Sequence, residues 1–157
     1  MKNIKLAILL CLLTSTVWAQ KSKSNNMLTL NKEVVKAYVE SFNTKKGPAS
    51  LIADDIVFSM EDETQGTVHG RGTYLEGAAE FQGMIRRAAI DDIIAEGSKV
   101  VIKATYDLQL PTGHTHILKT MEYFELENAK ITHQYFMLDT GAFYKFMAHM
   151  SSESKDK

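Results

Sequence analysis

Cysteine is all but missing from this chain: Cys11 stands alone, inside a segment that reads as a removable leader and too early to be a lipoprotein acceptor. A mature protein without it has no disulfide, no thiol nucleophile and no cysteine-held metal. An excess of charge is missing as well. With 18 Lys and Arg against 19 Asp and Glu, scattered along the chain, the formal charge is −1. No basic stripe is left for a phosphate backbone, so nucleic acid is not an expected partner. Long apolar runs are also lacking. The uncharged stretch from Leu6 to Leu13 is well short of the roughly 20 residues that span a bilayer. The prolines, Pro48 and Pro111, both stand in turn sequences with glycine (Gly47-Pro48 and Pro111-Thr112-Gly113), where they end elements.

A length of 157 residues with 45% hydrophobic and 24% charged residues is the balance of one ordinary globular domain. Lys2 and Lys5 precede the short apolar run, and Val17-Trp18-Ala19 offers small residues where a signal peptidase reads. This is the pattern of a secretory signal cleaved between Ala19 and Gln20. The expected division is a signal over 1–19, a flexible leader over 20–30, a folded domain over 31–150 and a disordered tail over 151–157. The expected address is exported, periplasmic or secreted, with no stable membrane anchor after cleavage.

Within the domain, Val34, Val35, Tyr38, Val39 and Phe42 recur on one helical face, with Asn31 as N-cap, so 31–45 is predicted as an amphipathic helix. A short helix at 48–53 and a strand at 56–60 follow. Thr67–His69 is a candidate short strand, and Gly70 and Gly72 lead into a helix over 73–82 carrying Tyr74, Ala78 and Phe81 on a common face. From Met84 the pattern is extended: strands at 84–95, 100–110 and 114–126 are joined by Glu96-Gly97-Ser98 and Pro111-Thr112-Gly113. The second of these alternates Val100, Ile102, Ala104, Tyr106, Leu108 and Leu110 against polar residues, which predicts one buried and one wet face.

The stretch 128–150 organises the rest. A turn at Glu127-Asn128 opens a strand that ends on Asp139, and Ala142, Phe143, Phe146, Met147 and Met150 then follow helical spacing. Strict alternation puts Ile131, His133, Tyr135, Met137 and Asp139 on one face. A carboxylate, a phenol and an imidazole among apolar neighbours make a pocket wall. Two roles for Asp139 stand open on the residues alone: an acid whose pKa is raised by desolvation at the mouth of an apolar pocket, with Tyr135 as hydrogen-bond donor, or the N-cap of the last helix. His114 and His116, two apart on a strand face, are weak metal candidates, and no third ligand can be assigned, so no metal is expected.

The order of elements, together with DDIIAEGSKVVIKATYDLQLPTGHTH, MEYFELENAKI, GRGTYLEGAAEF and Asp139 followed by TGAFYKFM, resembles the SnoaL-like polyketide cyclase branch of the nuclear-transport-factor-2-like proteins. The resemblance implies an α+β cone, a curved antiparallel sheet wrapped around helices, and a homodimer formed through the open sheet face. In those cyclases an aspartate on the last strand is the general acid or base of an aldol ring closure, and Asp139 is the matching position. Phe58, His69, Tyr74, Met137 and Phe143 are the expected ligand-binding residues, for a small apolar or carbonyl-containing molecule, with no cofactor required. Limonene epoxide hydrolases on this fold use two aspartates bridged by an arginine, residue types that Arg86-Arg87 and Asp91-Asp92 also supply. Three functional classes follow: a cofactor-independent cyclase, isomerase or hydratase, a ligand-binding module without chemistry, and an assembly domain.

Overall fold

The first helix starts earlier than its expected cap. In the computed structural model, which describes residues 26–61 and 66–151, helix α1 runs over 26–43. Asn31 is buried inside it, and its Nδ2 donates to the Gly97 carbonyl at 3.0 Å. It ties the helix to a strand turn rather than capping it, because its period with Val34, Val35, Tyr38, Val39 and Phe42 places it on the buried face. The expected flexible leader is therefore helical from residue 26 onward. The signal segment, residues 20–25, residues 62–65 of the acidic turn and the tail beyond 151 lie outside the described residues.

The expected short helix after Pro48 is a 3-10 turn, Ala49–Leu51, and strand β1 begins at once, Ile52–Met60, with β2 at Thr67–His69. Gly70 then holds φ +84°, a conformation that L side chains rarely adopt, and its N–H donates to the Ile56 carbonyl at 2.8 Å. That bond turns the chain off the sheet and into α2, Arg71–Met84. β3 (Ile85–Glu96), β4 (Lys99–Gln109), β5 (Thr115–Glu127) and β6 (Lys130–Leu138) follow, and α3, Thr140–Ser151, completes the described chain.

The six strands form one sheet in the order β2-β1-β6-β5-β4-β3. β3 through β6 pair antiparallel as expected. β1, however, joins β6 in parallel, which the sequence pattern did not predict. The β4 alternation holds: Val100, Ile102, Ala104, Tyr106 and Leu108 are fully buried. They meet the apolar face of α1, where Tyr38 and Phe42 stack edge-on at 5.1 Å. Burying such side chains contributes about 1.5 to 3 kcal/mol each. This α+β arrangement encloses a cone between helices and sheet.

A bulge decides which β6 residues enter the cone. Glu125 pairs with His133, but Leu126 pairs with Ile131, so Thr132 is extra and its hydroxyl donates to the Glu125 carbonyl at 3.2 Å. An unpaired residue reverses the alternation beyond it. Ile131 and Gln134 are consequently both buried on the inner face, and Phe136 and Leu138 share the parity of Gln134.

Candidate functional site

Inside the cone lies a cavity of about 300 Å³. α1 contributes Tyr38 and Phe42, β1 Phe58 and Met60, β2 Val68, α2 its face from Thr73 to Phe81, β6 Gln134, Phe136 and Leu138, and α3 Phe143. The rings pack edge to face, with Phe58 on Tyr74 at 5.8 Å and Phe81 on Phe136 at 6.0 Å. This gives an apolar chamber with rigid aromatic walls.

Of the sequence-predicted site residues, Phe58, Tyr74 and Phe143 line this cavity. Four others do not. Tyr135 pairs with Tyr123, and Met137 with Met121; Met121 is half exposed, so this parity belongs to the outer face of the sheet. The bulge at Thr132 put them there. His69 is exposed and pairs with Val57, while Val68, paired with Phe58, takes the inward place. Asp139 is exposed, and its Oδ1 accepts the Ala142 N–H at 2.9 Å while its carbonyl accepts the Phe143 N–H at 3.0 Å. It caps α3, satisfying amides that the helix itself leaves unpaired. Arg86, Arg87, Asp91 and Asp92 are exposed on β3, where Asp91 accepts from Thr105 and Asp92 from the Ile93 N–H. His114 stacks on His149 at 4.1 Å and His116 on Phe146 at 5.3 Å, away from the cavity lining. Among the described residues, no group of three or more His, Cys, Asp or Glu stands together to hold a metal.

The polar chemistry lies instead at the sheet end of the cavity. Glu122, 0% exposed, sits on the inner face of β5. Its Oε1 accepts from Tyr106 Oη at 2.7 Å and Thr120 Oγ1 at 2.9 Å, and its Oε2 from Gln134 Nε2 at 2.9 Å. Gln134, 1% exposed, passes the network on: its Oε1 accepts from Tyr74 Oη at 2.6 Å, and its Nε2 lies 3.2 Å from Tyr38 Oη. The Tyr38 and Tyr74 hydroxyl oxygens are 2.9 Å apart. Tyr38, Tyr74 and Gln134 line the cavity, and Glu122, outside the lining, is joined to it through Gln134.

Burial raises the Glu122 carboxyl to about 7, against the opposing pull of its hydrogen bonds from Tyr106, Thr120 and Gln134. Burial pushes Tyr38, Tyr74 and Tyr106 up from the ordinary phenol range, helped by the Glu122 charge. They stay protonated at any physiological pH. The site thus holds three phenols as fixed hydrogen-bonding groups and one acid that changes charge near neutrality.

A signal for Glu122 was present in the sequence. The buried parity of β5 reads Leu118, Thr120, Glu122, Phe124 and Leu126, a carboxylate in the middle of an apolar face. Its neighbours in MEYFELE disguise it, because Glu125 and Glu127 are ordinary charges of the outer face and the strand end.

The chain matches the model of the SnoaL-like domain over residues 35–134. The chain belongs to the SnoaL-like domain family. Solved structures of the same fold include TerC co-crystallised with polyporic acid, at TM-score 0.66 and 23% identity, over 76% of this chain and 98% of that one. A putative SnoaL-like polyketide cyclase from Jannaschia sp. CCS1 gives TM-score 0.66 at 14% identity, over 75% and 91%. An LEH-like epoxide hydrolase of M. tuberculosis gives 0.65 at 16%, over 83% and 98%. At these identities the likeness establishes the cone fold of the SnoaL-like domain and nothing finer. No curated protein matches the chain in sequence.

Proposed function

We propose that this SnoaL-like domain binds a small, largely apolar molecule in its cone, with one polar oxygen of the ligand set against Tyr74, Tyr38 and Gln134. The observation that carries this reading is the cavity itself: about 300 Å³, lined mainly by aromatic and aliphatic side chains, with Thr73, Glu80 and the hydrogen-bonded Tyr38, Tyr74 and Gln134 as its polar groups. Pockets of this make use apolar walls for affinity and a few placed polar groups for orientation. TerC, of the same fold, was crystallised with the small molecule polyporic acid, which is consistent with a ligand in the cone.

A second reading has a specific observation behind it. Glu122 titrates near neutrality, as a general acid or base needs to, and Tyr74 can donate to a developing oxyanion. Cofactor-independent cyclase, isomerase or hydratase chemistry in this cone would therefore run through the Glu122 cluster rather than through Asp139, whose carboxylate is engaged at the α3 terminus. We also propose export, on the charged, apolar and small-residue pattern of 1–19, and a homodimer through the outer sheet face, where Ile94 is 64%, Ile117 55% and Met121 50% exposed.

The test uses N-phenyl-1-naphthylamine, an uncharged probe that fluoresces in apolar sites. Probe binding is expected in the wild type, and Ala78→Leu, which fills the cavity from α2, is expected to weaken it at least about tenfold with circular dichroism unchanged. Binding that survives Ala78→Leu places the probe outside the cone and defeats this reading.

A further inference from the structure

The cavity lining carries one charged side chain, Glu80, and it stands at the entrance. Of the lining residues, Thr73, Gly77 and Glu80 are exposed, while Tyr74, Ala78 and Phe81 beside them are buried or half-buried. Spacings of four and three residues put the exposed trio on one edge of α2. The cone therefore opens to solvent along that edge. At Gly77, in the middle of it, no neighbouring heavy atom lies within 4 Å of the place a Cβ would take. A helical side chain lies over the turn that precedes its own Cα, so Glu80 reaches over Gly77. Its carboxylate stands at the gap that the glycine leaves.

Among the described residues, no cation neutralises it. The ion pairs are Lys36 with Glu33 and Arg71 with Asp54, and Arg71, the one cation of α2, is held further by the Ala49 carbonyl. Lys45 is taken by the Gln82 and Ile85 carbonyls. No Lys, Arg or His lines the cavity. Phe58, Phe81 and Phe143 are lining rings that are half-buried, and the negative face of an aromatic ring attracts a cation. The site is thus matched to positive charge and mismatched to negative charge.

Resting on the binding reading above, we propose that the cone takes an apolar amine: a flat hydrocarbon body in the aromatic chamber, with a protonated nitrogen at the entrance against Glu80. A charge costs much to strip of water, and the exposed edge lets the nitrogen keep part of its hydration while it meets the carboxylate. Tyr74 and Glu80 are six residues apart, which is about 9 Å along the helix. The ligand's nitrogen and the oxygen set against Tyr74 are therefore the two ends of a molecule about two fused rings long.

Calorimetry with 2-(2-naphthyl)ethylamine, 2-(2-naphthyl)ethanol and 2-naphthylacetate, nearly equal in shape and charged +, 0 and −, tests the selection. At pH 7 and low salt the wild type should bind the amine about fivefold more tightly than the alcohol, and the acetate about fivefold more weakly. Sodium chloride at about 0.5 M should shrink both differences. Glu80→Gln should bring the amine to within about twofold of the alcohol, and Glu80→Lys should make the acetate the tighter of the two charged probes. Glu76→Gln, on an exposed residue of the same helix outside the lining, should keep the wild-type order, which separates the entrance from the general charge of the helix. Equal affinity of the wild type for amine and alcohol overturns the inference and leaves the pocket reading standing. A Glu80→Gln protein that keeps the wild-type preference overturns it too, as does amine binding that survives Ala78→Leu, which lies outside the cone. Failure of all three probes to bind overturns the pocket reading and the charge selection with it.

Discussion

Two carboxylates, Asp139 at the end of β6 and Glu122 in the middle of β5, show how location decides what an acid does. Asp139 stands where a strand gives way to a helix, exposed, with an oxygen taken by the Ala142 amide. Water solvates the rest of it, and its work is local: it fixes the first turn of α3 and thereby the helix that brings Phe143 to the cavity. Glu122 is fully buried and surrounded by side-chain donors. Its burial would cost several kcal/mol without those partners, and even with them the carboxyl is held near neutrality. The same functional group is a structural peg in one place and a titrating group in the other.

The largest effect that separates the two regions is expected from Gln134→Leu. It removes the donor to Glu122 and the acceptor of Tyr74 together, leaving buried polar atoms unpaired at a cost of roughly 3 to 5 kcal/mol. Urea unfolding should show the loss growing from pH 5.5 to pH 8, as Glu122 acquires its charge.

Glu122→Gln should act in the opposite direction. The folded-state pKa of Glu122, about 7, lies above the ordinary glutamate value of 4.5, so the folded protein binds the proton more tightly than the unfolded chain. The stability this provides is fully present below about 4.5 and is lost as pH rises through about 7. Replacing the acid by its uncharged isostere removes that loss. The variant should therefore gain on the wild type by roughly 2 to 3 kcal/mol between pH 5 and pH 8, read from the pH dependence of thermal unfolding.

Asp139→Ala is a smaller perturbation, about 1 kcal/mol for a lost N-cap, and Asp139→Asn, which keeps a capping oxygen, should cost no more than about 0.5 kcal/mol. Neither should weaken the binding of N-phenyl-1-naphthylamine, which fluorescence titration of Asp139→Asn checks directly. Loss of probe binding in Asp139→Asn would move the ligand contact back to the strand end. The smallest change in monomer stability is expected from Met121→Lys on the outer sheet face, within about 0.5 kcal/mol. Sedimentation should nonetheless show the proposed dimer weakened, with the pocket unchanged.

Much of this architecture is legible in the residues. The alternation of β4 and the helical stripe of α1 follow from simple periods, and both are buried as those periods require. Phe58, Tyr74 and Phe143 reach the cavity because they are large apolar or amphipathic residues on inward faces. What misled was the assumption of unbroken alternation along β6. A single bulged residue, Thr132, exchanges the faces of everything after it, sending Tyr135 and Met137 outward and Gln134, Phe136 and Leu138 inward. Nothing in ITHQYFMLD marks the bulge, since it is set by how β5 and β6 meet at Leu126 and Ile131. The parallel pairing of β1 with β6 is likewise a property of the closed sheet, with no local signal. Glu122 was legible in principle, as an acid among Leu118, Phe124 and Leu126 on one parity, but reading it required trusting the inner face of β5 over its acidic surroundings.

The most direct test of the account is the titration of Glu122 followed by carboxyl-carbon NMR in the wild type, with Glu122→Gln to assign the resonance. The account predicts a midpoint near 7, raised by the burial of the carboxyl. A midpoint at the ordinary glutamate value of 4.5 would contradict it, because the carboxyl would then be solvated like that of Asp139 and the contrast between the two acids would be gone.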